Sequence, residues 1–90
     1  MLSLVASGRF KKDVKRATKR GKDTQKLRIV IDLLLNRQTL PASYLDYPLK
    51  GSWKGWRDLH IEPDWLLIYR IANQRLELAA TGTHADLFEE

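Results

Sequence analysis

Both histidines of this chain stand beside carboxylates in strand-like sequence. His60 lies in DYPLKGSWKGWRDLHIEPDWLLIY, residues 46–69, with Arg57, Asp58 and Asp64 close by; His84 lies in TGTHADLF, residues 81–88. Imidazole gives or takes a proton near neutral pH, a carboxylate can orient it, and a guanidinium can hold a phosphate. Together they are the parts for phosphodiester cleavage without a metal. That reaction needs a base for the 2′-hydroxyl proton, an acid for the leaving 5′-oxygen and cations for the phosphorane. The same residues also suit a basic RNA- or partner-binding domain whose two histidines are incidental.

Strand alternation decides which of these groups can meet. On a strand from Trp53 to Ile61, Lys54, Trp56, Asp58 and His60 share one face, and Trp53, Arg57, Leu59 and Ile61 the other. Asp58 and His60 are therefore neighbours, and Asp64 can approach them past the Glu62-Pro63 turn. His84 follows the last strand, so only the fold can bring it in. Trp53, Trp56 and Trp65 read as sheet packing; one of them, or Phe88 or Tyr47, could instead stack on an unpaired base. Gly51 and Gly55 read as bulge or close-approach positions, since no GxxxxGK[ST] loop is present. With no cysteine and no HExxH pattern, neither a metal nor another cofactor is expected.

Charge is distributed unevenly. Residues 1–28 carry ten Lys/Arg against Asp13 and Asp23, a net of +8, whereas residues 29–90 carry six against nine, a net of −3. So dense a cationic segment attracts a polyanion whatever its sequence, through counterion release. Lys11, Lys12, Lys15, Arg16, Lys19 and Arg20, with Lys54 and Arg57, are the candidate RNA contacts. A solvated helix face is the plain alternative. No apolar run reaches the roughly 20 residues of a spanning helix, and the N-terminus does not read as a signal peptide. A cytoplasmic protein without a membrane partner is expected.

The elements that must position these residues form one domain over residues 1–90. Leu2 to Ala6 suits a short strand. Ser7 can cap a helix to about Arg20 with Phe10, Val14 and Ala17 as its apolar stripe, and Gly21 can end it. Asp23 or Thr24 caps a second helix carrying Leu27, Val30, Ile31, Leu34 and Leu35, which stops before Pro41. The long loop 36–50 leads to strands Trp53–Ile61, Trp65–Ile71 and Arg75–Thr81, with Ala72-Asn73-Gln74 as a tight turn. Thr83 can cap a short last helix through Phe88. The order β-α-α-β-β-β implies an α+β domain, a small antiparallel sheet of about four strands with two N-terminal helices on one face.

The segment GxWKGxRDxHIEPDWLLIY followed by LELAATGTHADLF resembles the YafQ branch of the RelE superfamily of bacterial type II toxin–antitoxin toxins. The likeness runs over nearly the whole chain, including the basic FKKDVKRATKRGKD helix and the IDLLLNRQTLP segment. It is strongest over residues 48–69 and 81–88. The resemblance implies the RelE-like fold and a metal-free endoribonuclease that cuts mRNA in the ribosomal A site. It also implies a cognate antitoxin, which inhibits the toxin and through which alone the complex reaches operator DNA. Family roles would fall on His60, Asp64 and His84 as the acid–base group, with Asp58 in support and Phe88 near the scissile nucleotides. The expected products are a 2′,3′-cyclic phosphate or 3′-phosphate and a 5′-hydroxyl.

Two positions depart from that pattern. Tyr47 stands where the family has histidine, and a phenol with a pKa near 10 is a poor base at neutral pH. Ala80 stands where the family has arginine, and alanine cannot hold a phosphate. Either the site is disarmed, by design or by decay, or Arg57 or a helix lysine takes the missing role. On these grounds Ala80→Arg should raise cleavage. A non-catalytic RelE-fold module that only binds antitoxin or RNA is the second reading, and a ribosome-independent RNase the third.

Overall fold

The structure, a computed structural model, describes residues 1–88. Strand β1 (Ser3–Ala6) leads into helix α1 (Gly8–Lys19), whose N-cap Ser7 accepts from the Phe10 backbone N–H at 2.9 Å. Helix α2 (Thr24–Leu35) is capped by Asp23, which accepts from Gln25 N–H at 3.0 Å. Both caps satisfy amides that the first helical turn leaves without partners. Gly21, at φ +84°, ends the first helix in the left-handed region that glycine enters most readily. Then come the short strand β2 (Tyr47–Pro48), β3 (Arg57–Glu62), β4 (Trp65–Ala72), β5 (Arg75–Gly82) and helix α3 (His84–Phe88).

The α+β class and the two helices on one face are as the sequence implies, and two details of the sheet differ. It has five strands in the order β1-β5-β4-β3-β2, and β1 pairs with β5 in parallel. A parallel pair is closed by a long crossover, here both helices and three strands, so no local turn announces it. The strand expected from Trp53 begins at Arg57 instead. Gly51 and Gly55, at φ +67° and +94°, break the extended backbone, and residues 51–53 form a 3₁₀ turn. Lys54 therefore lies outside the strand on which His60 sits.

Each sheet face has its own core. Phe10, Ala17, Leu27, Val30 and Leu34 of the helices pack against Leu59, Trp65, Leu67, Tyr69, Leu76 and Leu78. On the opposite face Leu66, Ile68, Ala80 and Leu87 are buried beneath Leu49, Trp53, Trp56 and Phe88. Helix α3 and the 49–56 segment thus cover the face that α1 and α2 leave bare. Among the described residues, no helix is long and apolar enough to cross a membrane.

Candidate active site

Strand β3 presents Asp58 and His60 on one face, as alternation requires, and β2 adds Tyr47 directly across from Asp58. Asp58 is buried, and that burial pushes its carboxyl above the ordinary value, while His60 and His84 draw it back down. The β3–β4 turn carries Asp64, and the end of β5 carries the chain into α3, which begins at His84. Here the two histidines meet, with ring centroids 5.4 Å apart and planes tilted by 47°.

The two rings are held differently. Asp64 Oδ1 lies 2.6 Å from His84 Nδ1 and also accepts from the His84 backbone N–H at 2.8 Å. The backbone N–H first, and then the imidazole, hold the Asp64 carboxyl below its usual range, so it stays charged. That carboxylate favours the tautomer with the proton on Nδ1, leaving Nε2 as the free basic nitrogen. The Nδ1 of His60 is buried with no hydrogen-bond partner among the described residues. Phe88, one helical turn after His84, places its ring 6.4 Å from the His84 ring.

Other candidates sit elsewhere. Arg57, one residue out of phase with Asp58, projects from the other face, where Nε donates to Asp46 Oδ1 at 3.0 Å and Nη2 to the Asp46 carbonyl at 3.3 Å. Its guanidinium is thus engaged by Asp46, on the face away from His60. Ala80 pairs with Ile68 across β4–β5 and is completely buried in the apolar cluster. Lys11, Lys12, Lys15 and Lys19 form one exposed stripe of α1, facing away from Phe10, Asp13 and Ala17. Lys54 is exposed as well. Arg16 and Arg20 are instead drawn to Asp86, at 3.6 and 2.6 Å. No group of three or more His, Cys, Asp or Glu among the described residues is placed to hold a metal.

Sequence reasoning missed four residues. Asp13, buried within the basic helix, accepts from the Thr81 backbone N–H at 3.1 Å and so fastens α1 to the end of β5. Asp46 and Tyr69 are joined at 2.7 Å beside Arg57 and tie down the loop ahead of Tyr47. Asp86 stands three residues after Thr83, the spacing of a reciprocal helix cap, and that was the available signal. The other three carry no local signature.

Comparison with known proteins places the geometry in context. Residues 2–89 match the sequence profile of the YafQ toxin family, bacterial toxins of type II toxin–antitoxin systems. The mRNA interferase toxin YafQ of Escherichia coli K12 is 55% identical over 83 residues, which are 91% of this chain and 90% of that protein. The crystal structure of YafQ from E. coli BL21(DE3) superposes with a TM-score of 0.93 at 50% identity, covering 98% of this chain and 99% of that one. A chain of the E. coli DinJ–YafQ complex gives 0.90 at 52%, with the same coverage.

Proposed function

The chain belongs to the YafQ family of bacterial type II toxin–antitoxin toxins, and from that premise we propose that it is a ribosome-dependent endoribonuclease restrained by a cognate antitoxin. The observation that carries the reading is the Asp64–His84 pair, at 2.6 Å, set against a second imidazole 5.4 Å away. The activity named for the E. coli relative, an mRNA interferase, and that relative's crystallisation with DinJ support the substrate and the partner.

In this mechanism His84 Nε2, its ring held by Asp64 at Nδ1, takes the 2′-hydroxyl proton. The oxygen attacks the adjacent phosphorus, and His60 protonates the departing 5′-oxygen. The products are a 2′,3′-cyclic phosphate and a 5′-hydroxyl. Asp58, on the same face as His60, is the counter-charge for an imidazolium there, and it does not touch the substrate. Phe88 offers a ring face to a base beside the cut. Tyr47, 60% exposed opposite Asp58, donates its phenol proton to a phosphate oxygen in this reading. No metal enters any step, and the lysine stripe of α1 supplies the grip on ribosomal RNA.

One observation favours a binding-only module instead. Ala80 is buried and Arg57 is bonded to Asp46, so neither position supplies a guanidinium to steady the phosphorane. Primer extension on mRNA after induction, with and without translation, separates the readings. Codon-phased cuts that need translation are expected. Cuts on naked RNA would mean a general RNase, and no cuts at all the binding-only module.

A further inference from the structure

We infer that Asp86, held by Arg20 of the basic helix, is a positioning residue for His84. The inference rests on the catalytic reading given above. Helix α3 is five residues long and starts at the proposed base, so its own hydrogen bonds cannot fix that side chain.

Asp86 supplies what is missing. Its Oδ2 accepts from the Thr83 backbone N–H at 2.9 Å, while its own N–H donates to Thr83 Oγ1 at 3.0 Å. This reciprocal cap brackets His84 on both sides. Arg20 Nη1 then donates to the same Oδ2 at 2.6 Å and Nη2 to Oδ1 at 3.3 Å, a two-pronged grip of planar guanidinium on carboxylate. Arg16 Nη2 approaches to 3.6 Å, and Arg9 Nη2 reaches the Asp86 carbonyl at 3.3 Å. Two arginines of α1 and its C-cap Arg20 thus converge on one residue of α3.

Gly82 is shaped to the same contact. A Cβ added there would lie 2.8 Å from Asp86 Oδ2 and 2.9 Å from Asp86 Cβ, closer than real side chains come, with Arg16 Nη2 at a tight 3.1 Å. The arginines also neutralise a charge that would otherwise disturb the base: the Asp86 carboxylate opposes ionisation of Asp64, which must stay charged to hold His84 Nδ1. Asp86 therefore fixes the backbone from which His84 projects, and Arg20 makes its charge harmless to Asp64.

The test pairs cleavage with a probe of the His84 ring. Asp86→Ala removes cap and ion pair together; Asp86→Asn keeps an amide oxygen for the Thr83 N–H and loses the charge. Single-turnover cleavage on programmed ribosomes at saturating toxin should fall by about 10- to 100-fold in Asp86→Ala. The half-saturating concentration should stay within about twofold, and Asp86→Asn should fall between parent and alanine variant. ¹⁵N NMR of the free protein should show the His84 Nδ1 resonance shifting in the same order. A stability loss without change in saturated rate or His84 resonance would overturn the inference. Should Asp86→Ala not fold, Arg20→Met, which spares the Thr83 cap, takes its place in the NMR arm, where an unmoved resonance is equally fatal. If the parent chain cuts no ribosome-bound message, the functional reading fails, while the NMR arm still decides whether Asp86 positions His84.

Discussion

At the scale of single residues, the proposed cleavage depends most on the pairing of His84 with Asp64. Asp64 is 64% exposed at its side chain, so Asp64→Asn should barely change Tm. Cleavage should nevertheless fall by about 10²–10⁴-fold, because an amide can donate to Nδ1 and trap the tautomer whose Nε2 already bears the proton. A rate within threefold of the parent would refute the role given to Asp64. The burial of Ala80 argues against an expectation drawn from sequence. On chemistry alone Ala80→Arg should restore a phosphate ligand, yet Ala80 is wholly buried among Leu66, Ile68 and Leu87. A guanidinium there must displace Trp53, Trp56 or Phe88 or remain unpaired, at a cost of about 2–4 kcal/mol. We expect Tm to drop by roughly 10 °C or more and the cleavage rate not to rise. A stable variant that cuts faster would restore the original expectation. The Asp58–His60 relation was legible because alternation is a local rule. The contact between His84 and Asp64 spans 20 residues and depends on the register of β4 against β5, which no local pattern encodes.

At the scale of elements, the helices announced themselves and the sheet edges did not. Ser7 and Asp23 are caps that any reading of polar residues before apolar periodicity would choose. Strand β2, only two residues long, has no pattern to read. Its place depends on Asp46, which takes Arg57 on one oxygen and the Tyr69 hydroxyl on the other. Since Tyr47 follows directly and pairs with Asp58, this clamp sets the edge of the proposed site. Asp46→Ala would leave the phenol of Tyr69, whose residue is only 2% exposed, without its acceptor, costing about 1–3 kcal/mol. Tyr69→Phe should cost less, because Asp46 keeps Arg57, and the double variant should cost less than the sum of the two. Strict additivity in thermal melts would show that the clamp does not act as a unit. Burial, and after it the Asp46 carboxylate, raise the Tyr69 pKa. A raised folded value contributes stability that is complete below about pH 10 and is lost as pH climbs past it. Tyr69→Phe should therefore flatten the alkaline limb of the stability profile.

Over the whole molecule, the proposed function assigns gripping and cutting to different parts of an unevenly charged surface. The asymmetry was plain in the sequence, but composition could not tell which cations are free. Arg16 and Arg20 serve Asp86, and Lys22 and Lys26 serve Glu62 at 2.8 and 2.9 Å. Lys11, Lys12, Lys15 and Lys19 share one exposed face of α1, and no ion pair among the described residues engages them. Each ammonium that neutralises a phosphate releases condensed counterions, so the log–log salt slope of ribosome binding counts such contacts. Neutralising all four to glutamine should make that slope shallower by about three units, at roughly 0.7–0.9 per contact. Any single change should have little effect. The stripe lies on the outer surface of α1, away from the sheet face that carries His60, so cleavage by ribosomes saturated with the quadruple variant should match the parent. The fold should survive as well, since exposed cations on a helix add little stability and these four repel one another. An antitoxin that covers the same stripe with an acidic segment would lose affinity in parallel, with the same flattening of salt dependence. The decisive measurement is the slope. If the quadruple variant binds ribosomes with the parent's salt dependence, the stripe is only a solvated face, and the grip on RNA must lie with Lys54 and the other cations around the cleavage face.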